Sequence, residues 1–413
     1  MNKKTKSVER VIGLDAHPDT FTAARVRGPT PAAAIVEKIF NKVAITQLQS
    51  WAKKHTPAQD LFVLEASGHS FQVVRVLAAI GQEALVLESC QMGKLKEAHA
   101  NNDKISAVRI AKAYLAGTAK TVWVPDAKTQ ERRDWFHAHR KAVKRTHQAR
   151  NSLLSYWSDN GVRLKRGTPL TQAPAVEAQL KQARDGSPRQ WQVIEGWLMQ
   201  LRHAEEQRQH WRSLIAQEVL SDPTLLSLIR LCGVREMVAF ALGALMGDIQ
   251  RFAAPRQLVK YIGLNPAFDD SGKNEGRGGI GGHGRKDLRC LLIEGAQAIL
   301  RCAKNPLSQW GRKLLARKGR INLAVAAIAR KLAVAVWYLL MGRWTPLEEI
   351  DERLALKVGK VIGRVGQQGL QRLGKVRKTY RQEIYQSLKA GRIYVLDSHK
   401  KFVPMPPQPV AVA

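Results

Sequence analysis

Cysteine is scarce: four residues in 413, Cys90, Cys232, Cys290 and Cys302, with no CxxC spacing. The pattern indicates neither a disulfide framework nor a structural zinc site, and it suits a reducing compartment. Acidic residues are few as well, 34 Asp+Glu against 67 Lys+Arg, which leaves a net charge of +33. An excess of that size points to a polyanionic partner, since clustered cations neutralise phosphates and release their counterions. A nucleic acid is the first reading and an anionic membrane surface the competing one. No long apolar run is uninterrupted: residues 321–341 come nearest, and Arg330 and Lys331 break them at the middle. A bilayer-spanning helix rarely tolerates charges there. The first strand pattern contains Asp15, so no apolar signal region follows the basic residues 1–6. The expectation is no membrane and a cytoplasmic protein, nucleoid-associated when bound to DNA.

What is present suffices for a core, because 45% of the residues are apolar. Residues 11–16, 20–26, 34–40, 61–66, 84–88 and 121–124 read as strands, with helical spacing at 45–54 and 71–80. Strands alternating with helices predict an α/β layer over residues 8–127. Residues 128–220 show no strand pattern and read as an all-α connector, a helical hairpin or coiled coil broken near 161–174 and 186–188. A mainly helical C-terminal domain is expected over 221–345, interrupted by a glycine-rich loop at 272–284. Residues 346–413 form a basic extension: from residue 301 onward there are 23 Lys+Arg and 6 Asp+Glu, about half of the net charge. Such a segment suits gripping a nucleic acid.

Three acids stand where strands and helices of the first region end or begin. Asp15 closes Val-Ile-Gly-Leu-Asp, Glu65 closes Leu-Phe-Val-Leu-Glu, and Asp103 precedes a helix. In an open α/β sheet such positions converge on one crevice. Grouped carboxylates need compensation, which a hard divalent cation such as Mg²⁺ supplies. Taken singly, each acid reads more simply as a turn residue or helix cap.

Gly-Leu-Asp15, Leu-Glu65-Ala-Ser-Gly and Asn102-Asp103-Lys-Ile-Ser106-Ala-Val-Arg together resemble the RuvC-like, ribonuclease-H-type catalytic domain of the Piv/MooV-type invertases and the insertion-sequence one-hundred-and-ten transposases. The resemblance implies a metal set of Asp15, Glu65 and Asp103, with a fourth acid where this chain has Ser106, a neutral and weaker ligand. Downstream, Leu231-Cys-Gly233-Val resembles the family's helix-hairpin-helix turn. Asp270-Ser271-Gly272-Lys273, followed by Gly284-Arg-Lys286-Asp-Leu-Arg289, is similar to its C-terminal serine transposase domain. By that resemblance Ser271 is the nucleophile, forming a phosphoserine with DNA while the carboxylate-bound Mg²⁺ lies against the same phosphate. A structured bridge RNA guiding the reaction and a homo-oligomer, dimer or tetramer, are implied in the same way.

Without the family, Ser271 is a hydroxyl among Lys273, Arg277, Arg285 and Lys286, a setting that would bind a phosphate and stabilise charge building up on it. The plain alternative is a solvated surface loop. The helix at 131–150 carries Arg132, Arg133, Arg140, Lys141, Lys144 and Arg145 around Trp135 and Phe136, a basic face for RNA or DNA, or a solvated coiled-coil face. The rival functions are a metal-dependent junction nuclease using the same acids and a degenerate transposase that binds without cutting.

Overall fold

The computed structural model describes residues 10–56, 60–90, 102–161, 170, 174–271, 274–302, 305–392, 394–396 and 402–404, with backbone alone at 174–179, 267–271, 274–278, 302, 394–396 and 402–404. The chain forms two compact units, Met1–Asp126 and Ala127–Ala413.

The first unit is a six-stranded mixed sheet, with β1 (Arg10–Ala16), β2 (Thr20–Arg27), β3 (Ile35–Ala44), β4 (Leu61–Glu65), β5 (Glu83–Leu87) and β6 (Thr121–Val122) in the order β3-β2-β1-β4-β5-β6. The first three strands form an antiparallel meander. β4 joins β1 in parallel and β5 joins β4 in parallel, so the middle strands need helical crossovers. Strand alternation sorts the side chains between two cores. Ile12, Leu14, Phe62 and Leu64 face α1 (Leu48–His55) and α2 (Ser70–Ala78), while Val11, Leu61 and Val63 face α3 (Asp103–Leu115). Both faces are covered, which explains the continuous apolar run of β4.

α3 lies very close to β1. A Cβ built on Gly13 would come within 2.0 Å of the Ala107 carbonyl oxygen and 2.9 Å of the Ala111 nitrogen. Only a residue without a side chain permits that approach, so the glycine of Val-Ile-Gly-Leu-Asp sets the distance between strand and helix.

The second unit is mostly helical. α4 (Ala127–Asp159) runs along α6 (Pro188–Ser221), and Ala149, Leu153 and Trp157 of one pack with Ile194, Leu198 and Leu201 of the other beside α5 (Pro174–Gly186). Asp222 caps α7 (Pro223–Leu228) by accepting from the Thr224 and Leu225 amides. α8 (Glu236–Ala241) continues into a π-turn at Leu242–Met246, followed by α9 (Pro255–Ile262). The glycine-rich stretch expected as a loop instead pairs as a hairpin, β7 (Pro266–Ser271) with β8 (Asn274–Ile280). Its base is closed by Gly263 and Gly284, both at positive φ, whose backbones touch so closely that a Cβ on Gly284 would sit 2.7 Å from the Gly263 nitrogen.

α10 (Lys286–Cys302), α11 (Pro306–Lys318), α12 (Ile321–Leu340), α13 (Asp351–Arg372) and α14 (Arg377–Ala390) follow, and β9 (Tyr394–Leu396) pairs with β10 (Phe402–Pro404). α12 is long and apolar enough to cross a membrane, yet Ala324, Ile328, Leu332 and Val336 are buried in the core of this unit. Leu354, Val358, Val361 and Ile362 of α13 belong to the same core. Lys357 fixes α13 there: its buried ammonium donates to the Ile229 and Leu231 carbonyls at 2.9 and 2.7 Å and lies 3.3 Å from Glu349.

Candidate active site

Asp15 is the last but one residue of β1, two residues beyond Gly13, and so shares the face that Gly13 turns to α3. Asp103 begins α3, one helical turn before Ala107, the residue that touches Gly13. Two strand residues and one helical turn cover nearly the same length, about 6 Å. The contact at Gly13 therefore brings the two carboxylates side by side at the sheet's edge. Asn102, not Asp103, caps this helix, its side chain accepting from the Ile105 amide at 2.9 Å. The Asp103 carboxylate is thus spared from capping and faces the crevice.

His17, in the turn after β1, completes the cluster. Its Nε2 lies 3.8 Å from Asp15 Oδ2 and 3.5 Å from Asp103 Oδ1. One ligand atom from each of the three falls within 4.8 Å of the others. The set of two carboxylates and an imidazole suits a divalent cation, because two acids sharing one site repel each other until a positive charge separates them. Glu65 ends β4 on the same face by strand alternation, but its carboxylate does not join this cluster. Ser106 stands one turn along α3, half-buried, its amide donating to the Asn102 carbonyl.

In the second unit Ser271 ends β7 and is paired with Asn274, so it stands at the tip of a two-residue connection. Of Ser271 and Arg277 only the backbone is described, and Lys273 lies outside the described residues. At the hairpin's base Arg285 is held 3.3 Å from Asp287, and Lys286 is exposed at the start of α10.

The basic helix α4 divides into two sets. Arg140, Lys141, Lys144 and Arg145 are exposed, and the first three border a surface hollow with His137. Arg132 and Arg133 do not belong with them, which corrects the reading of all six as one nucleic-acid face. Arg132 is bound to Glu218 and Asp222. Arg133 is buried and donates to the Ala244 and Leu245 carbonyls at 3.0 and 3.4 Å, capping the negative end of the π-turn. On the same buried stripe His139 sits among Arg212, Arg208 and Arg140, and burial first, then those charges, push its pKa down to about 4.

His17 is not an acid and so stands outside the carboxylate pattern of the sequence. The signal was nevertheless present, since Asp15-Ala-His17 places two ligand-type side chains at alternate positions of a strand end.

Residues 227–310, which contain α8, α9, the hairpin and α10, match the family described as Transposase IS116/IS110/IS902. The likeness of the chain to proteins of this kind extends well beyond that segment. It is 28% identical to the transposase for insertion sequence element IS1111A of Coxiella burnetii over 288 residues, 68% of this chain and 78% of that one. To a probable family 20 transposase of Pseudomonas aeruginosa it is 34% identical over 129 residues, 30% of this chain and 38% of the other. With the transposase for insertion sequence element IS1328 of Yersinia enterocolitica it shares 22% identity over 79% of its own length and 95% of its relative's. The matched segment includes Ser271 and the π-turn that Arg133 caps, whereas the acidic cluster lies in the other unit.

Proposed function

We propose that this protein is the transposase of an insertion element and recombines DNA by phosphoryl transfer through Ser271. The observation that carries the reading is the match of residues 227–310 to IS110/IS116-family transposases, a segment that places Ser271 at the tip of a hairpin. The mixed sheet with its antiparallel meander followed by parallel strands supports a ribonuclease-H-like reading of the first unit.

In the proposed reaction the Ser271 oxygen bonds to phosphorus as the bond to the leaving strand breaks. The serine proton is given up to solvent or a base, and the leaving oxygen gains one. One phosphodiester replaces another, so a hydroxyl of the partner strand can reverse the step without ATP. Asp15, His17 and Asp103 would hold Mg²⁺, and a bound divalent cation stabilises charge on the transferring phosphoryl group. The exposed Arg140, Lys141, Lys144 and Arg145 would track a nucleic-acid backbone. A bridge RNA, donor and target DNA and a homo-oligomer belong to this proposal.

The test is Ser271→Ala, with a cleaved DNA end trapped on the protein under denaturing conditions. Wild type should yield a covalent adduct and the variant none, with nucleic-acid binding kept. Strand exchange surviving in Ser271→Ala would remove the nucleophile, and DNA nicking without any adduct in the wild type would favour a hydrolytic nuclease acting from the acidic cluster.

A further inference from the structure

α13 and α14 lie side by side with a cleft of about 420 Å³ between them. Its charged lining is entirely cationic. Lys360 and Arg364 are one turn apart on α13, and Arg377 and Arg381 one turn apart on α14. This spacing puts each pair on one helical face, so four positive charges line one cleft. Gly359 and Gly363 form its floor. A Cβ on Gly359 would lie 3.3 Å from Arg381 Nε, and one on Gly363 would lie 3.3 Å from Arg377 Nη2. The glycines let the guanidiniums lie down against α13, which positions them and narrows their freedom.

Like charges gathered at this density repel one another, and the nearby acids do little to offset them. Glu236 stands 3.9 Å from Arg364 but is already held by Arg212 at 3.0 Å. Arg381 donates to the Ala355 carbonyl, which fixes its orientation without neutralising it. A second feature points the same way. α14 begins at Arg377, within the cleft lining, and its N-cap, Val376, offers no side-chain acceptor to the first-turn amides. Those N–H groups and the positive end of the helix dipole favour an anion at the same place.

We infer that this cleft is a phosphate-binding site that seats the sugar-phosphate backbone of a nucleic acid, with Arg377 and Arg381 as its planar donors. Guanidiniums match tetrahedral phosphate oxygens in pairs, which lysines do not. The inference rests on the reading of the protein as nucleic-acid-acting but not on Ser271 or the acidic cluster. The site reads no sequence. It would fix register and orientation while specificity arises elsewhere.

The experiment measures binding of the full chain to fluorescent single-stranded RNA and to duplex DNA across a salt series. The variants are Arg377→Gln/Arg381→Gln and, as a charge-matched control on an exposed face of the first unit, Lys53→Gln/Lys54→Gln. Each phosphate left without its cation should lower the slope of log affinity against log salt by about 0.7–0.9 and weaken binding about 5- to 8-fold at 0.1 M salt. The cleft variant should therefore fall by about one to two slope units on at least one probe, and the probe affected identifies the backbone as RNA or DNA. The control should stay within about twofold. Unchanged affinity of the cleft variant for both probes overturns the site, as does an equal weakening in the control, which would reduce the effect to net charge. Gly359→Val, which crowds Arg381 without altering charge, guards against misfolding of the double variant: it should weaken the same probe, and wild-type binding in it counts against the site. Since adduct formation is read separately, failure here leaves the Ser271 proposal standing, and the reverse holds.

Discussion

Replacing Gly13 by alanine tests whether the strand-helix approach sets the acidic cluster. Gly13 has no positive φ, so alanine is allowed by the backbone and the effect is steric alone. The new methyl would begin 2.0 Å from the Ala107 oxygen, and since real Cβ atoms keep at least 3.0 Å from such neighbours, α3 must withdraw by about 1 Å. Neighbouring atoms are backbone, which cannot rotate away. Overpacking of this kind costs about 1–3 kcal/mol, partly offset by the roughly 0.4–1 kcal/mol that alanine contributes through the unfolded chain. The net loss should be about 1–2 kcal/mol, read as a melting temperature several degrees lower. Because α3 carries Asp103, the same withdrawal separates it from Asp15 and His17. Divalent-ion affinity should fall with it and, on the function proposed above, so should strand exchange, by about 100-fold, the cost of a displacement near 1 Å in a reacting constellation. Gly196, on α6 with open space where its Cβ would be, provides the contrast: Gly196→Ala should stabilise by about 0.5–1 kcal/mol. A Gly13→Ala protein with wild-type melting temperature and wild-type divalent-ion affinity would refute the argument.

Three other outcomes are expected. His139 is neutral in the folded chain down to about pH 4, whereas the unfolded histidine takes up its proton near pH 6.5. The unfolded state therefore binds more protons between those values, stability falls by about 1–3 kcal/mol as pH drops from 6.5 to 4, and His139→Phe should flatten that slope in denaturant titrations. Lys357→Met leaves Glu349 and two carbonyls without their buried cation, so chemical denaturation should show a loss of about 3–5 kcal/mol. Ser106→Asp adds a carboxylate one turn from Asp103 and, on the function proposed above, should tighten Mg²⁺ binding; an unchanged metal titration would place the fourth ligand elsewhere.

The sheet was legible because its strands obey simple rules. β4 is continuously apolar and buried on both faces, and the acids stand out by ending such runs. The hairpin was hidden because Gly276, Gly278 and Gly279 supply no side chains to alternate, which removes the period-two signal while leaving the backbone free to pair. Arg132 and Arg133 misled for a different reason. The buried stripe of α4 runs Thr129, Arg133, Phe136, His139, Ala142, Thr146, Ala149 at three- and four-residue steps, with polar members that a reading based on apolar residues alone passes over. Glu65 shows the limit of strand-end logic: the right face and the right edge do not by themselves deliver a carboxylate to a cluster.

The anchoring of Lys357 has a genetic corollary. A copy truncated after residue 345 would forfeit far more than an accessory tail. With Leu354, Val358, Val361 and Ile362 gone, the hydrophobic wall they complete would lie open to water, and the polypeptide would be a target for proteases rather than a lighter enzyme. A derivative meant to compete with the full-length chain would therefore have to keep this ammonium and, on the function proposed above, change Ser271 instead.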